Sequence, residues 1–290
     1  MEGEIYMAAG TEKRSAALVA CSDPVSERRL PEIDRIADIL REEGLEVVMP
    51  RPFFELRSEN PVLKAESLMD CFRIPGMEWI FDVSGGDLAN GVLPLLDYDV
   101  IRKSGAVFCG FSDLTTVINA VIAKTGRPAV NYQIRNILYD HAEEQLHCLR
   151  EKILPGKIST DDLACHFLRG SCMKGKILGG NIRCFLKLAG TPFWPDLTGN
   201  ILLLESMGGG VYQIRTALEQ YKQMGVFDQI SGILLGTFSK MEAENLQPSA
   251  AELVMQMIPE DLPVACTRYV GHCPDARAVV LGQETELSSE

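Results

Sequence analysis

A chain of 290 residues, 46% hydrophobic and 23% charged, has the make-up of a soluble globular enzyme with one large α/β domain or two modest ones. Its 28 basic and 40 acidic residues give a formal net charge of −12 without any Lys/Arg cluster, which argues against a nucleic-acid partner. No apolar run approaches the roughly 20 residues that span a bilayer, and the opening MEGEIYMAAGTEKRS lacks the apolar stretch of a secretory leader, so neither membrane insertion nor export is expected.

The first half alternates short apolar runs with amphipathic stretches. SAALVAC (15–21) reads as a buried strand, followed by the turn SDPVSE. RLPEIDRIADILREEG then puts Leu30, Ile33, Ile36, Ile39 and Leu40 on one helical face and stops at Gly44. LEVVM (45–49), WIFDV (79–83) and AVFC (106–109) are further strands, and Leu114–Lys124 is a helix with Val117, Ile118, Val121 and Ile122 inward. This rhythm predicts a parallel-sheet α/β domain, flavodoxin- or Rossmann-like, over residues 1–135. From 136 to 170 the pattern weakens into a polar connection with one helix at His141–Lys152. Residues 171–290 read as a smaller α/β domain rich in short strands: 176–178, 201–204, 230–235, 264–266 and 278–281, with a helix at 212–224.

Within AVFCGFSDLTTVINAVIAKTG a strand, a tight turn and a helix follow one another, with Ser112 at the turn. A nucleophilic serine needs that geometry, because its hydroxyl stands clear of the sheet edge beside the positive end of a helix. Serine is also a favoured helix cap, and the segment alone leaves both readings open. If Ser112 attacks a carbonyl, the Asp113 N–H points toward the developing oxyanion. Gly86, in the SGGD turn after WIFDV, falls at the same sheet edge and allows close backbone approach; an ordinary strand-to-helix turn is the other reading.

Of the four histidines, His141, His147 and His166 read as surface residues. His272 lies in a turn between two apolar runs, where rigid backbone can hold a general base. Glu205 closes the apolar strand ILLLE before the loop SMGGG and is a candidate for orienting that imidazole. Nine cysteines scattered singly point to free thiols in a reducing compartment, hence to a cytoplasmic protein. Two sets, Cys165/His166/Cys172 and Cys266/His272/Cys273, lack paired CxxC spacing, so no metal and no cofactor is expected.

Taken together, SGGDLANGVLPLLDYDVI, GFSDLTTVINAVIAKTG, GGNIRCFLKLAGTPFWPDLTGNILLLES and the late GH in YVGHCPDARAVVLG resemble the LD-carboxypeptidase family, which includes the microcin C immunity peptidases. The likeness runs from about Ala16 to Glu286. It implies a Ser–Glu–His triad of Ser112, Glu205 and His272, with the serine on the first domain and the other two on the second. It also implies an oxyanion hole built from the N–H groups of Asp113 and Gly86. The reaction implied is release of D-alanine from an L,D bond of a muropeptide tetrapeptide in cell-wall recycling. In the immunity branch it is hydrolysis of a peptidyl- or aminoacyl-nucleotide antibiotic. A non-catalytic ligand-binding protein on the same scaffold is the third reading, and the family's habit implies a homodimer.

Departures from the family pattern fall around the substrate. Ser206 stands where an acid commonly follows the glutamate, and Gln213, Arg215 and Thr216 alter the helix beyond it. The connection lacks the long insertion of the immunity peptidases, which favours the cell-wall branch. One or two further strands would be expected beyond Glu290.

Overall fold

The computed structural model describes residues 14–50 and 59–289; the opening MEGEIYMAAGTEKRS, on which no secretory leader was expected, lies outside them as far as residue 13. Five parallel strands form the first sheet: β1 (Ser15–Val19), β2 (Glu46–Val48), β3 (Met77–Asp82), β4 (Val107–Gly110) and β5 (Ala129–Asn131), in the order β2-β1-β3-β4-β5. Its helices are α1 (Leu30–Glu42), α2 (Pro61–Arg73), α3 (Tyr98–Lys103) and α4 (Thr115–Thr125). All five residues of β1 are buried, as a run covered on both faces requires. Ala16 and Leu18 pack with Trp79, Phe81 and α1, whereas Ala17 and Val19 face α2 and α4, following the period-two alternation of a strand.

The 136–170 segment is more than a linker. Its helix α5 (Ala142–Cys148) and the turn after it bury Cys148, Leu149, Ile153 and Leu154 in the α1 layer of the first sheet. Its last strand, β6 (His166–Arg169), is an edge of the second sheet. That sheet holds β7 (Cys172–Asn181), β8 (Ile201–Ser206), β9 (Gly232–Phe238) and β10 (Val264–Cys266), all parallel. Helices α6 (Ile182–Leu186), α7 (Val211–Gln223), α8 (Ser239–Ala243) and α9 (Ala250–Met257) lie along it. β6 and the late β12 (Glu284–Ser288) close its two edges antiparallel.

One strand crosses the expected domain division at 171. β11 (Val279–Leu281) returns to the first sheet and pairs antiparallel with β5, its Val279 and Leu281 buried there. The chain between β10 and β11 therefore bridges the two sheets and carries His272 across. The junction is also filled by α4, whose residues 115–122 are all buried. One apolar cluster runs unbroken from Ala17 and Phe108 through α4 to Leu203 and Leu234.

Five of these helices, α2, α3, α6, α8 and α9, stand where no periodicity was read, and α2 and α9 are the two longest of them. The buried face of α2 includes Lys64 and Ser67 beside Ala65, Leu68 and Phe72, so polar residues interrupt the apolar pattern. In α9 the signal was a capping box, with Ser249 accepting from the Glu252 N–H and Glu252 reaching back to the Ser249 N–H.

Candidate active site

β4 leaves the sheet at Gly110, Phe111 is extended, and Ser112 turns the chain with φ 61 before a tight turn leads into α4. A positive φ is strained for a residue with a Cβ, and here it lifts the Ser112 hydroxyl clear of the strand. A Cβ on Gly110 would lie 2.7 Å from that of Leu114, so the turn closes this tightly only with glycine there.

The structure brings Ser112, His272 and Glu205 together across the two domains. His272 Nε2 lies 3.1 Å from Ser112 Oγ, and His272 Nδ1 lies 2.8 Å from Glu205 Oε2. With Nδ1–H donating to the carboxylate, Nε2 is left as an acceptor facing the serine hydroxyl. Glu205 is 1% exposed, and its second oxygen, Oε1, accepts from Asn181 Nδ2 at 3.0 Å. A buried carboxylate satisfied on both oxygens stays fixed in place. The Phe111 ring packs on the imidazole with centroids 4.5 Å apart, which limits the ring's movement.

Asn181 and Phe111 were not singled out from sequence. Asn181 is the register partner of Glu205 on the neighbouring strand, and its Oδ1 also accepts the Cys184 N–H to start α6. The visible signal was an N-cap asparagine directly after two glycines. His141, His147 and His166 are exposed.

Asp113 sits at the start of the turn into α4, where N–H groups lack an intrahelical acceptor. Its side chain is fully buried: Oδ2 accepts from Ser22 Oγ at 2.6 Å and from the Ala89 N–H at 2.8 Å, and Oδ1 accepts from Lys187 Nζ at 2.5 Å. Gly86 lines the same cleft as Ser112 and has φ 132, and a Cβ there would fall 2.0 Å from the Asp23 carboxyl carbon. Only glycine fits this turn. Beneath it, Asp82 accepts from the Cys21 and Ser84 N–H groups and from Ser84 Oγ, which in turn accepts the Ser22 N–H. Burial pushes the Asp82 carboxyl up from its ordinary range.

A cleft of about 890 Å³ opens beside Ser112, walled by the double-glycine turn, α6, the SMGGG loop and α7. Its apolar wall includes Ile182, Leu186 and Ile214. Arg183, Lys187 and Lys240 line it against one acid, Asp87. Arg183 and Lys187 both pair with Asp87, at 2.6 Å and 3.4 Å, while among the described residues Lys240 has no ion-pair partner. Desolvation at the cleft mouth opposes ionisation of Asp87, but its hydrogen bond and charge contact with Arg183 outweigh this and hold its carboxyl below the usual range.

Burial raises the Cys109 thiol well above its ordinary value and pushes Cys184, which lines the cleft, up to about 12. Neither is poised as a thiolate. Among the described residues no three His, Cys, Asp or Glu side chains converge as a metal would need. No described helix is long and apolar enough to cross a membrane.

Residues 16–132 match the LD-carboxypeptidase N-terminal domain, and residues 174–287 match the LD-carboxypeptidase C-terminal domain. The chain is 23% identical over 295 residues to a Bacillus subtilis protein named "Probable murein peptide carboxypeptidase", covering 95% of this chain and 89% of that one. It is 24% identical over 229 residues to the microcin C7 self-immunity protein MccF of Escherichia coli, covering 67% of this chain and 66% of that one. The fold is similar to MccF solved in complex with aspartyl sulfamoyl adenosine, with TM-score 0.79, 18% identity, and 98% and 99% of the two chains covered. It is also similar to an MccF-like protein from Streptococcus pneumoniae solved with AMP, with TM-score 0.77, 21% identity and 96% of each chain covered. Two matched domains together spanning most of the sequence place this chain in the LD-carboxypeptidase family of peptidases.

Proposed function

We propose that this protein is a serine-type LD-carboxypeptidase that releases the terminal D-alanine from muropeptide tetrapeptides. One observation carries the reading: the hydrogen-bonded relay from Ser112 Oγ through His272 to Glu205, with distances of 3.1 Å and 2.8 Å.

In this mechanism Ser112 Oγ attacks the carbonyl of the penultimate residue and its proton passes to His272 Nε2. Glu205 stabilises the imidazolium and keeps the ring in the accepting tautomer. The oxyanion is met by the N–H groups of Asp113 and Gly86, an interaction in which loss of one donor costs about 10²–10³-fold in kcat. Collapse breaks the C–N bond, and His272 returns the proton to the departing amine of D-alanine. A water then loses its proton to the same histidine, attacks the acyl-enzyme and frees Ser112.

Support for the substrate class comes from the cleft. Its lining includes Lys240, which has no ion-pair partner among the described residues, in a chain of net charge −12, as suits a substrate ending in a carboxylate. Among the described residues no aromatic side chain lines it, so a purine would find no ring to stack on. The Bacillus subtilis relative's name points the same way. The second reading, hydrolysis of an aminoacyl sulfamoyl nucleotide, draws on the likeness to MccF over nearly the whole of both chains. All nine cysteines are free, which suits a cytoplasmic setting. A homodimer, with twice the 32.0 kDa of one chain, remains part of the proposal and is tested by light scattering.

The deciding experiment is a product assay on muropeptide tetrapeptide, tripeptide and an aminoacyl sulfamoyl adenosine. D-alanine released from the tetrapeptide alone supports the proposal. Turnover of the sulfamoyl compound alone moves the protein to the second reading, and turnover of none supports a ligand-binding protein.

A further inference from the structure

The second domain contributes one side chain to the proposed oxyanion hole that the relay itself does not need. Lys187 closes α6, and its side chain is 17% exposed. Its ammonium donates to Asp113 Oδ1 at 2.5 Å, to the Asp87 carbonyl at 2.8 Å and to Asp87 Oδ1 at 3.4 Å. Asp113 is the residue whose N–H follows the nucleophile, and Asp87 directly follows Gly86. A single cation therefore holds both turns that supply the oxyanion donors.

From these contacts we propose that Lys187 is a positioning residue for the oxyanion hole, an inference resting on the serine-hydrolase reading above. Two physical effects act together. The first is geometric. Asp113 already grips the first domain through Ser22 Oγ and the Ala89 N–H, and Lys187 fastens that carboxylate and the double-glycine turn to the second domain. The donors thus keep their spacing only when the domains are docked. The second effect is electrostatic. A buried carboxylate one residue from the nucleophile opposes formation of a nearby oxyanion, and Lys187 neutralises it at contact distance.

Lys187 is poorly suited to bind the substrate carboxylate itself. Its three ammonium donors already have three acceptors, and giving up Asp113 would strand a fully buried charge.

The test pairs steady-state kinetics with phosphonylation by a fluorophosphonate. In that reaction Ser112 Oγ bonds to phosphorus, fluoride leaves and the serine proton passes through His272 to solvent. Lys187→Met is expected to lower kcat and the phosphonylation rate together, by about 10²-fold as for an oxyanion-hole donor, with KM changed less than about threefold. The double variant Lys187→Met/Asp113→Asn removes the stranded charge, folds without it, and is expected to regain at least about tenfold of that loss. A rise in KM at unchanged kcat would overturn the proposal. So would a loss matching only the unfolded fraction in a thermal melt, or a double variant no better than the single one. If wild-type Ser112 takes up no phosphonyl group, the serine-hydrolase reading fails and this inference with it. If the wild type is labelled and Lys187→Met is labelled equally fast, only this inference fails.

Discussion

Asn119 and Gly179 pair across the domain junction as two residues of adjoining strands would: Asn119 Nδ2 donates to the Gly179 carbonyl at 2.8 Å, and the Gly179 N–H donates to Asn119 Oδ1 at 2.9 Å. One partner lies on the helix that follows Ser112, the other two residues before Asn181, which holds Glu205. A second link, from the Asn181 N–H to Thr115 Oγ1 at 3.1 Å, reinforces it. The nucleophile turn and the carboxylate are thus fixed to each other by buried hydrogen bonds.

Asn119→Ala is accordingly expected to destabilise the protein by about 2–4 kcal/mol, since it strands a buried N–H and a buried carbonyl at about 1–3 kcal/mol each. Activity per folded molecule should fall as well, because the relay spans that junction. Urea unfolding and active-site titration check both, and an unchanged unfolding midpoint would contradict the role of this pair.

Glu205→Gln preserves shape but removes the charge and offers an amide N–H to the imidazole. The ring then presents the wrong tautomer to Ser112. A fall in kcat of about 10³–10⁴-fold at nearly constant KM is expected, as for the equivalent change in other serine triads. Steady-state kinetics decide it; a loss under tenfold would remove Glu205 from the relay.

Arg268 and Asp275 bracket the His272 loop with a 2.6 Å ion pair. Burial of Asp275 opposes its ionisation, but the Arg268 hydrogen bond and charge prevail, so its carboxyl is held below the usual range. A depressed acid contributes stability that is fully present above its unfolded pKa of about 3.9 and is lost as pH falls through the folded value. The loop should stay clamped from pH 5 upward and loosen only in stronger acid. Asp275→Asn should lower stability only slightly at pH 7, as expected for an ion pair whose arginine is exposed. Its unfolding midpoint should converge with that of the wild type as pH falls below the ordinary carboxylate range. Curves that stay parallel throughout acid unfolding would contradict the assignment.

Burial keeps the Cys184 thiol, pushed up to about 12, from acting as a nucleophile even though it borders the cleft. Brief treatment with iodoacetamide at pH 7 is expected to modify exposed Cys172 first and to leave peptidase activity intact. Inactivation that tracks modification of Cys184 or Cys109 would point to thiol chemistry instead.

Much of this arrangement was legible from residues whose local sequence states their job. GFSD after an apolar strand marks a tight turn, although that segment alone also fits a helix cap at Ser112, and ILLLES places an acid at the end of a buried strand. The partnership of Glu205 with His272 needed the family resemblance, because nothing local links positions 67 residues apart. Asn181, Phe111 and Lys187 escaped notice because their roles arise from contacts between strands and domains. The α2 helix escaped because Lys64, whose ammonium donates to the Ser22 carbonyl, occupies its buried face. The return of β11 to the first sheet was hidden because a three-residue apolar strand carries no mark of the sheet it joins.

The most direct test of the central claim is the turnover of purified Ser112→Ala on a muropeptide tetrapeptide, with folding checked by its thermal melt. The expected result is a native melt with kcat reduced at least about 10⁴-fold, since the relay has lost its nucleophile. A natively folded Ser112→Ala variant that still releases D-alanine within tenfold of the wild-type rate would contradict the assignment of Ser112.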